Sequence, residues 1–259
     1  MKKATLVTIL IAGCSVDGLP ITSHDLGSNL EMSKPTEAQR SNCVFSYKFN
    51  RPNPLEDVCG KTYAIDKDTK ETKGYNGEAR EFGPDNSYIE IRNKDGQPME
   101  LSGGKIQIDL DFRPDVLPKK LQLGSEYQVL ATTYNEEKGI ESWYVHLSKE
   151  QIDGKEGGLD VDFAKTNKCF GIDNSNGIAL VEDIKPGSWN HMRATYDGNK
   201  NKMSINLNGR SKEWEPHTRG LCSKADAVTL GVLINSLGMP IGQFRGALDN
   251  VTVLDEIGD

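Results

Sequence analysis

The sequence predicts an all-β protein whose main domain, residues 43 to 259, is an antiparallel sandwich of two sheets. From Cys43 onward, apolar and polar residues alternate in short segments, which is the pattern of half-buried strands. Gly, Asn, Asp and Pro separate these segments and indicate turns. No long segment has the periodicity of an amphipathic helix. Many short strands joined by Gly-rich turns are typical of a sandwich.

The alternating segments define the predicted strands in chain order. CVFSYKFN (43–50) places Cys43 and three aromatic residues on one face. KIQIDLDF (105–112) places four apolar residues on one face, with Asp109 and Asp111 on the other. Further strands are predicted at 88–91, 142–148, 158–164, 189–198, 202–209, 226–234 and 247–255. We expect 142–148 to form a hairpin with 158–164, and 189–198 to form one with 202–209.

The last predicted strand, ALDNVTVLD, contains a carboxylate in an unexpected place. Asp249 has the same parity as Val251 and Val253, so it should face the core if they do. An unpaired ionised carboxylate in an apolar interior costs several kcal/mol or more. Asp249 should therefore have a partner, either a metal ion or backbone N–H groups.

The N-terminus, MKKATLVTILIAGCS, has the features of an export signal. Lys2 and Lys3 precede an apolar run from Ala4 to Ala12, which is too short to span a bilayer as a helix. The end of this run resembles the bacterial lipobox, which predicts a signal at residues 1–13 and lipidation of Cys14. A plain signal peptide cut elsewhere is the alternative. Residues 14–42 are mostly polar and predict a flexible tether.

The cysteine count fits an exported lipoprotein. Of the five cysteines, a lipid on Cys14 leaves an even set, which suits an oxidising compartment. Sequence proximity favours the disulfides Cys43–Cys59 and Cys169–Cys222. We expect the protein to be anchored in the outer membrane or at the cell surface. Its only contact with a membrane is then the lipid.

The charge distribution excludes several classes of partner. The formal net charge is −7, and the chain has no block of five or more Lys or Arg residues. Nucleic acid, heparin-like polymers and anionic membranes are therefore not expected as partners of the molecule as a whole.

Five segments, taken together and in order, resemble the laminin-G-like family of concanavalin-A-like jelly-roll domains. GEAREF (77–82) followed by SYIEI (87–91) resembles the family's early "GxAxxF … YVEI" strand pair. IQIDLDFRPD, SWYVHLS and FRGALDNVTVLD resemble three further strands of the family. PGSWNHMRATYDG followed by INLNG resembles its "GxWHHVAATYDG … LYVNG" pair. The resemblance covers nearly all of residues 43–257 and implies a jelly-roll sandwich.

The resemblance also implies a binding function, in which a carbohydrate or a surface glycoprotein is bound without catalysis, with a calcium ion nearby in many members. Asp249 matches the family's Asp beside the metal. Asn50 stands where the family has an acid, and Asp57 matches an acid of the following turn. The candidate calcium ligands are thus Asp249, Asp57 and Asn50.

Aromatic side chains near loops or strand ends are candidates to stack on sugar rings. The candidate ligand contacts are Trp214, Trp143, Tyr134 and Tyr75. We expect Trp189, which opens an apolar strand, to serve packing, and His191, of opposite parity to that apolar row, to lie at the surface.

Two other functions remain open. A polysaccharide-active hydrolase or lyase could use Asp109 and Asp111, which are two residues apart on one strand face as glycosidase carboxylates are. The E-x-D-x-E pattern of such enzymes is absent, so solvated aspartates are the simpler interpretation. The third possibility is a structural module for protein–protein interaction.

Overall fold

The computed structural model describes residues 42–83, 86–100, 104–118, 127–133, 143–152, 155–164, 175–181, 184–216, 224–235 and 237–256. Within these ranges all regular structure is β-strand, in two large antiparallel sheets and two small ones, which confirms the predicted all-β sandwich. Several predicted features lie outside the described residues: the signal, Cys14, the tether up to residue 41, Tyr134 and the Cys169–Cys222 pair.

The larger sheet, called sheet I here, has eight strands in the order β14-β13-β12-β7-β19-β4-β3, with β1 also paired to β19. Its strands are β1 (Cys43–Tyr47), β3 (Lys70–Lys73), β4 (Glu78–Phe82), β7 (Lys105–Pro114), β12 (Asn190–Asp197), β13 (Lys202–Leu207), β14 (Arg210–Trp214) and β19 (Gly246–Leu254).

Sheet II has seven strands in the order β11-β10-β9-β8-β16-β5-β2. They are β2 (Thr62–Lys67), β5 (Tyr88–Asn93), β8 (Tyr127–Thr132), β9 (Trp143–Ile152), β10 (Lys155–Ala164), β11 (Ser175–Val181) and β16 (Val228–Leu230). Two small sheets pair β6 (Met99–Glu100) with β15 (Lys224–Ala225), and β17 (Leu233–Ile234) with β18 (Pro240–Ile241). Both predicted hairpins, β9–β10 and β12–β13, are confirmed.

The core lies between the two large sheets and contains the apolar rows that the alternation predicted. From sheet I these rows include Phe45 and Tyr47 of β1, and Met192, Ala194 and Tyr196 of β12, all fully buried. Because side chains alternate across a strand, the intervening residues of β7 and β12 lie on the outer face of sheet I. That outer face carries the candidate site.

The predicted disulfide between Cys43 and Cys59 is confirmed, with the two Cα atoms 6.0 Å apart. It joins the start of β1 to the turn that precedes β2. Within that turn, Asp57 accepts hydrogen bonds from the backbone N–H groups of Cys59 and Lys61, and from that of Ser46 in β1. The turn and the strand are therefore held together by a covalent bond and by a buried carboxylate.

Candidate ligand-binding site

A break in the pairing of β19 creates the centre of the site. The first part of β19 (246–248) pairs with β4 on one side, and the last part (251–254) pairs with β1 on the same side. Both parts pair with β7 on the other side, with a bulge between Asp249 and Thr252. Asn250 has a φ of 49°, in the left-handed region that Asn tolerates better than most residues. Asp249 therefore lies at the point where β19 changes partner.

The bulge changes which residues of β19 face the core. Leu248, Val251 and Val253 all belong to the core cluster, so the extra residue shifts the alternation after Leu248. The predicted shared parity of Asp249 with the two valines therefore does not place Asp249 in the apolar core. Its neighbour in register is Asp111 of β7, whose residue parity is that of the outer face. Asp249 is nevertheless fully buried, because a loop covers it.

The covering loop is the tight turn 74–77 before β4. Gly74 N–H donates to the carbonyl of Gly77 at 2.8 Å, and the backbone N–H groups of Tyr75 and Asn76 donate to Asp249 Oδ2 at 3.1 and 3.4 Å. A Cβ atom on Gly74 would lie 2.7 Å from Asp249 Oδ2, so glycine is needed for this close approach. Asp249 thus positions the segment that carries Tyr75.

Asn50, just beyond β1, holds the other end of the same loop. Its Oδ1 accepts a hydrogen bond from Glu78 N–H at 2.8 Å. Gly77 has a φ of 91°, and a Cβ there would lie 2.3 Å from Asn50 Oδ1. Two of the three predicted calcium ligands, Asn50 and Asp249, therefore contact the same loop. Both accept hydrogen bonds from its backbone N–H groups.

Burial raises the pKa of Asp249 to about 6, against an ordinary value near 4. Desolvation is the largest cause. The three backbone N–H donors of Tyr75, Asn76 and Asn250 act in the opposite direction, and the negative charge of Asp111 adds to the increase. Asp249 therefore changes its protonation state around its raised pKa of about 6.

Beside this loop, two aromatic rings and a guanidinium form a cluster that we call the aromatic rim: Tyr75, Trp189 and Arg113. The rings of Tyr75 and Trp189 meet edge to face, with centroids 6.4 Å apart. Arg113 lies over the Trp189 ring at 5.5 Å. Tyr75 is 58% exposed and Trp189 is half-buried. The predicted exposed aromatic at Tyr75 is therefore part of a larger cluster.

Next to the rim, β7 and β12 form two hydrogen-bonded pairs on the outer face. His191 Nδ1 donates to Asp111 Oδ1 at 2.6 Å, and Asn250 Nδ2 donates to Asp111 Oδ2 at 2.7 Å. One step further along the strands, Arg193 Nε donates to Asp109 Oδ1 at 2.6 Å. The hydrogen bond to Asp111 raises the pKa of His191.

The geometry favours a binding role over a catalytic one for Asp109 and Asp111. All four of their carboxylate oxygens accept hydrogen bonds, the fourth from Gln107 Nε2 at 2.5 Å. Asp111 is also buried. A glycosidase needs one carboxyl group to donate a proton and a second one that is open to the sugar or to water. Neither residue is presented in that way.

Two other predicted aromatic contacts, Trp143 and Trp214, make no ring contact with Tyr75 or Trp189. Trp143 is 1% exposed and is the largest fully buried side chain of the core, so its ring offers no face to a ligand. Its position near a loop suggested exposure, but its parity with Val145 and Leu147 places it between the sheets. Trp214 lies at the end of edge strand β14, half-buried against the core.

Asp57, the third predicted calcium ligand, shares no hydrogen-bond partner with Asp249 or Asn50 among the described residues. Asp57 accepts five hydrogen bonds, from Ser46, Cys59, Lys61 and twice from Thr62, so both of its oxygens are already used. Among the described residues, no group of three or more His, Cys, Asp or Glu side chains has a metal-binding arrangement. Calcium binding stays a prediction.

Trp189, Arg113 and Arg193 are site residues that sequence reasoning missed. A usable signal was present, because Trp189, His191 and Arg193 share the parity opposite to the buried Met192 and Ala194. The contact of Trp189 with Tyr75 had no sequence signal, since more than a hundred residues separate them.

Comparison with known proteins supports the fold. No model of a known protein family matches the chain, and no curated protein matches it significantly. Among solved structures, it is similar to the binding domain of Paraclostridial Mosquitocidal Protein 1 (TM-score 0.59, 14% identity, 85% of this chain and 50% of that one). It is also similar to the binding domain of botulinum neurotoxin serotype G (TM-score 0.58, 15% identity, 84% and 49%).

A third similar structure is the ligand-binding domain of botulinum neurotoxin serotype D in complex with N-acetylneuraminic acid (TM-score 0.57, 11% identity, 85% and 49%). The chain therefore spans about half the length of the toxin domains that it matches. At these identities the similarity shows a shared β-sandwich fold. Among the residues that the structure describes, no helix is long and apolar enough to cross a membrane.

Proposed function

We propose that this domain binds carbohydrate without catalysis and that the aromatic rim is the binding site. The observation that carries the proposal is the pairing of exposed Tyr75 with half-buried Trp189, beside hydrogen-bonding side chains on the outer face of sheet I. Aromatic rings pack on the apolar faces of sugars, while neighbouring polar groups meet the hydroxyls. The similar structures, which include binding domains and one complex with N-acetylneuraminic acid, support the same class of function.

The rest of the proposal concerns how the domain is displayed. We infer a lipoprotein in which Cys14 is the lipid-bearing residue and the tether up to residue 42 holds the sandwich away from the membrane. The disulfide between Cys43 and Cys59 supports an oxidising compartment outside the cytoplasm. Expression of the full chain with a labelled fatty acid tests this, because Cys14→Ala should abolish both labelling and membrane association. Labelling that survives this substitution contradicts it.

Membership of the laminin-G-like family and calcium-dependent binding are further proposals. The order of strand motifs supports the first, and the match of Asp249 to the family's metal-side acid supports the second. Calorimetric titration of chelated protein with calcium tests the metal, with Asp249→Ala as the control. Absence of both heat and thermal stabilisation removes calcium from the proposal and leaves the glycan site untouched.

A glycan array followed by calorimetry tests the binding site. Trp189→Ala and Tyr75→Ala should each weaken binding about tenfold, since loss of an aromatic stacking contact costs on the order of 1–1.5 kcal/mol. Tyr63→Ala is the matched control, because Tyr63 is 42% exposed on β2 of the other sheet. If Tyr63→Ala weakens binding as much as Trp189→Ala does, the proposed location of the binding site is wrong. A protein that binds no glycan contradicts the function, and a protein ligand then becomes the remaining class.

A further inference from the structure

The outer face of β12 carries a row of three side chains that starts at the aromatic rim. Trp189 precedes the strand, and His191 and Arg193 follow on the same face. Since residues two apart on a strand are separated by about 7 Å, the row spans about 13 Å. A ligand that contacts Trp189 and extends along β12 therefore meets His191 first and Arg193 next.

Each cation in this row lies outside the carboxylate that it pairs with. The His191 side chain is 52% exposed, whereas that of Asp111 is 5% exposed. The Arg193 side chain is 47% exposed, whereas that of Asp109 is 16% exposed. Each carboxylate fixes the orientation of its cation from beneath. The more exposed member of each pair, and so the group presented to a ligand, is therefore the imidazole or the guanidinium.

The hydrogen bonds leave donors for a ligand. Arg193 uses Nε toward Asp109, and its two terminal amino groups make no hydrogen bond to a described residue, so they can face a planar anion. His191 uses Nδ1 toward Asp111, which leaves Nε2 as its outward atom. The raised pKa of His191 keeps the imidazolium form, and so its Nε2–H donor, to a higher pH than usual.

We propose that the site takes an acidic saccharide, with the sugar ring on the Tyr75–Trp189 pair and a carboxylate or sulfate bound by His191 and Arg193. This inference rests on the proposed function and names the ligand class of the same site. The anion is recognised by charge-assisted hydrogen bonds from two pre-oriented cations.

The net charge of −7 limits how such a ligand is recognised. Interactions beyond about 8–10 Å are largely screened at physiological salt, so the distant acids contribute little once the ligand is in contact. The same acids oppose long-range attraction of highly charged polymers. Binding of the acidic saccharide should therefore depend on close contacts with the side chains of the row. It does not require a protein surface that is positively charged overall.

The test compares ligands that differ only in charge. The protein is titrated with polygalacturonate and its carboxyl-reduced form, and with dextran sulfate and dextran. Each acidic polymer that fits should bind about tenfold more tightly than its neutral counterpart. The two pairs distinguish a carboxylate from a sulfate.

Variants then test whether the difference in affinity between acidic and neutral polymers comes from the side chains of the row. Arg193→Gln and His191→Gln should each remove most of the preference for the acidic polymer, because binding of the acidic polymer should fall much more than binding of the neutral one. Arg193→Lys should restore part of the preference. The matched control is Arg92→Gln on sheet II. Arg92 is 48% exposed and pairs with Glu90, so it resembles Arg193 in exposure and pairing.

The pH dependence provides an independent readout. The charged groups around His191 are Asp111 and Asp109 on β7 and Arg193 on β12, and Asp249 on β19 interacts with Asp111. Binding of the acidic polymer should fall as pH rises through the pKa of His191, and His191→Gln should abolish this fall. In Asp249→Asn the fall should persist, which separates His191 from the other group that titrates nearby.

The outcomes separate the two proposals. Equal binding of acidic and neutral polymers, both lost in Trp189→Ala, overturns the acidic ligand and leaves the glycan site in place. A preference for acidic polymers that survives Arg193→Gln and His191→Gln also overturns the inference. If no saccharide binds, the proposed function fails and this inference fails with it.

Discussion

Asp57 and Asp249 are two buried carboxylates that the fold stabilises in different ways. Asp57 is 5% exposed and accepts five hydrogen bonds at 2.9–3.0 Å, four of them from within its own turn. Asp249 is fully buried and accepts three, two of which come from residues more than 170 positions away. Asp111 lies beside it as a like charge. A local turn can satisfy a carboxylate completely, whereas a bulge between distant strands satisfies it in part.

Because their hydrogen-bond partners differ, the two carboxylates have different roles in the protein. Asp57 joins a short local turn to β1, so its role is in stability. Asp249 joins the loop that carries Tyr75 to the sheet that carries Trp189, so its role extends to the candidate site. Burial raises the pKa of Asp249 to about 6, because its three backbone hydrogen bonds offset the loss of solvation only in part.

The largest expected effect is that of Asp57→Ala. It removes the acceptor of buried backbone N–H groups at Ser46 and Thr62, and each unsatisfied group costs about 1–3 kcal/mol. We expect the free energy of unfolding to fall by about 3 kcal/mol or more in urea denaturation. Asp95→Ala is the control, because Asp95 accepts a similar turn hydrogen bond in an exposed loop. Equal losses in both variants would contradict the assignment.

Asp249→Asn tests whether hydrogen bonds compensate only in part for the burial of the Asp249 carboxylate, through the pH dependence of stability. The folded-state pKa of Asp249 is raised to about 6, so protonation contributes stability that is fully present below about pH 4 and is lost as pH rises through 6. A shift of two units corresponds to on the order of 3 kcal/mol. The wild type should therefore lose stability relative to Asp249→Asn between pH 4 and pH 7, measured by denaturation at each pH. A difference that does not change with pH would exclude Asp249 as its source.

Gly74→Ala tests whether the loop depends on close contact with Asp249. The added Cβ would lie 2.6 Å from the carbonyl oxygen of Glu78 and 2.7 Å from Asp249 Oδ2. We expect a loss of about 1–3 kcal/mol in stability, together with weaker saccharide binding because Tyr75 moves. At Gly83 an added Cβ meets nothing within 4 Å, so Gly83→Ala is the matched control. Unchanged saccharide binding in Gly74→Ala would show that the loop 74–77 does not contribute to the binding site.

Asn50→Ala should have the smallest effect of the four. It leaves Glu78 N–H without its acceptor at the edge of the loop, at a cost of about 1 kcal/mol. Thermal unfolding measures this cost. Asn50→Asp retains an acceptor and should stay close to the wild type. A larger loss in Asn50→Asp than in Asn50→Ala would mean that the hydrogen bond is not what Asn50 contributes.

The strands that face the core were predictable because their alternation is regular, as in KIQIDLDF. Several others were not predicted, for reasons visible in their residues. KETK of β3 and RSKEW of β14 are edge strands with few apolar residues. YQVLAT of β8 has an irregular pattern, because the pairing shifts between Val129 and Ala131. An alternation rule detects a strand only where one face is apolar and the register is unbroken.

The sequence by itself determined the β-sandwich, the Cys43–Cys59 disulfide and the importance of Asp249, because each follows from alternation, spacing or the cost of a buried charge. Only the tertiary structure decided what Asp249 does. The partner of a carboxylate depends on which strands meet at its position, and here β19 meets β4, β1 and β7 around a bulge. The aromatic rim arises in the same way, since Tyr75, Arg113 and Trp189 come from three distant segments. Local patterns determine which face a side chain occupies, and long-range strand pairing determines its neighbours.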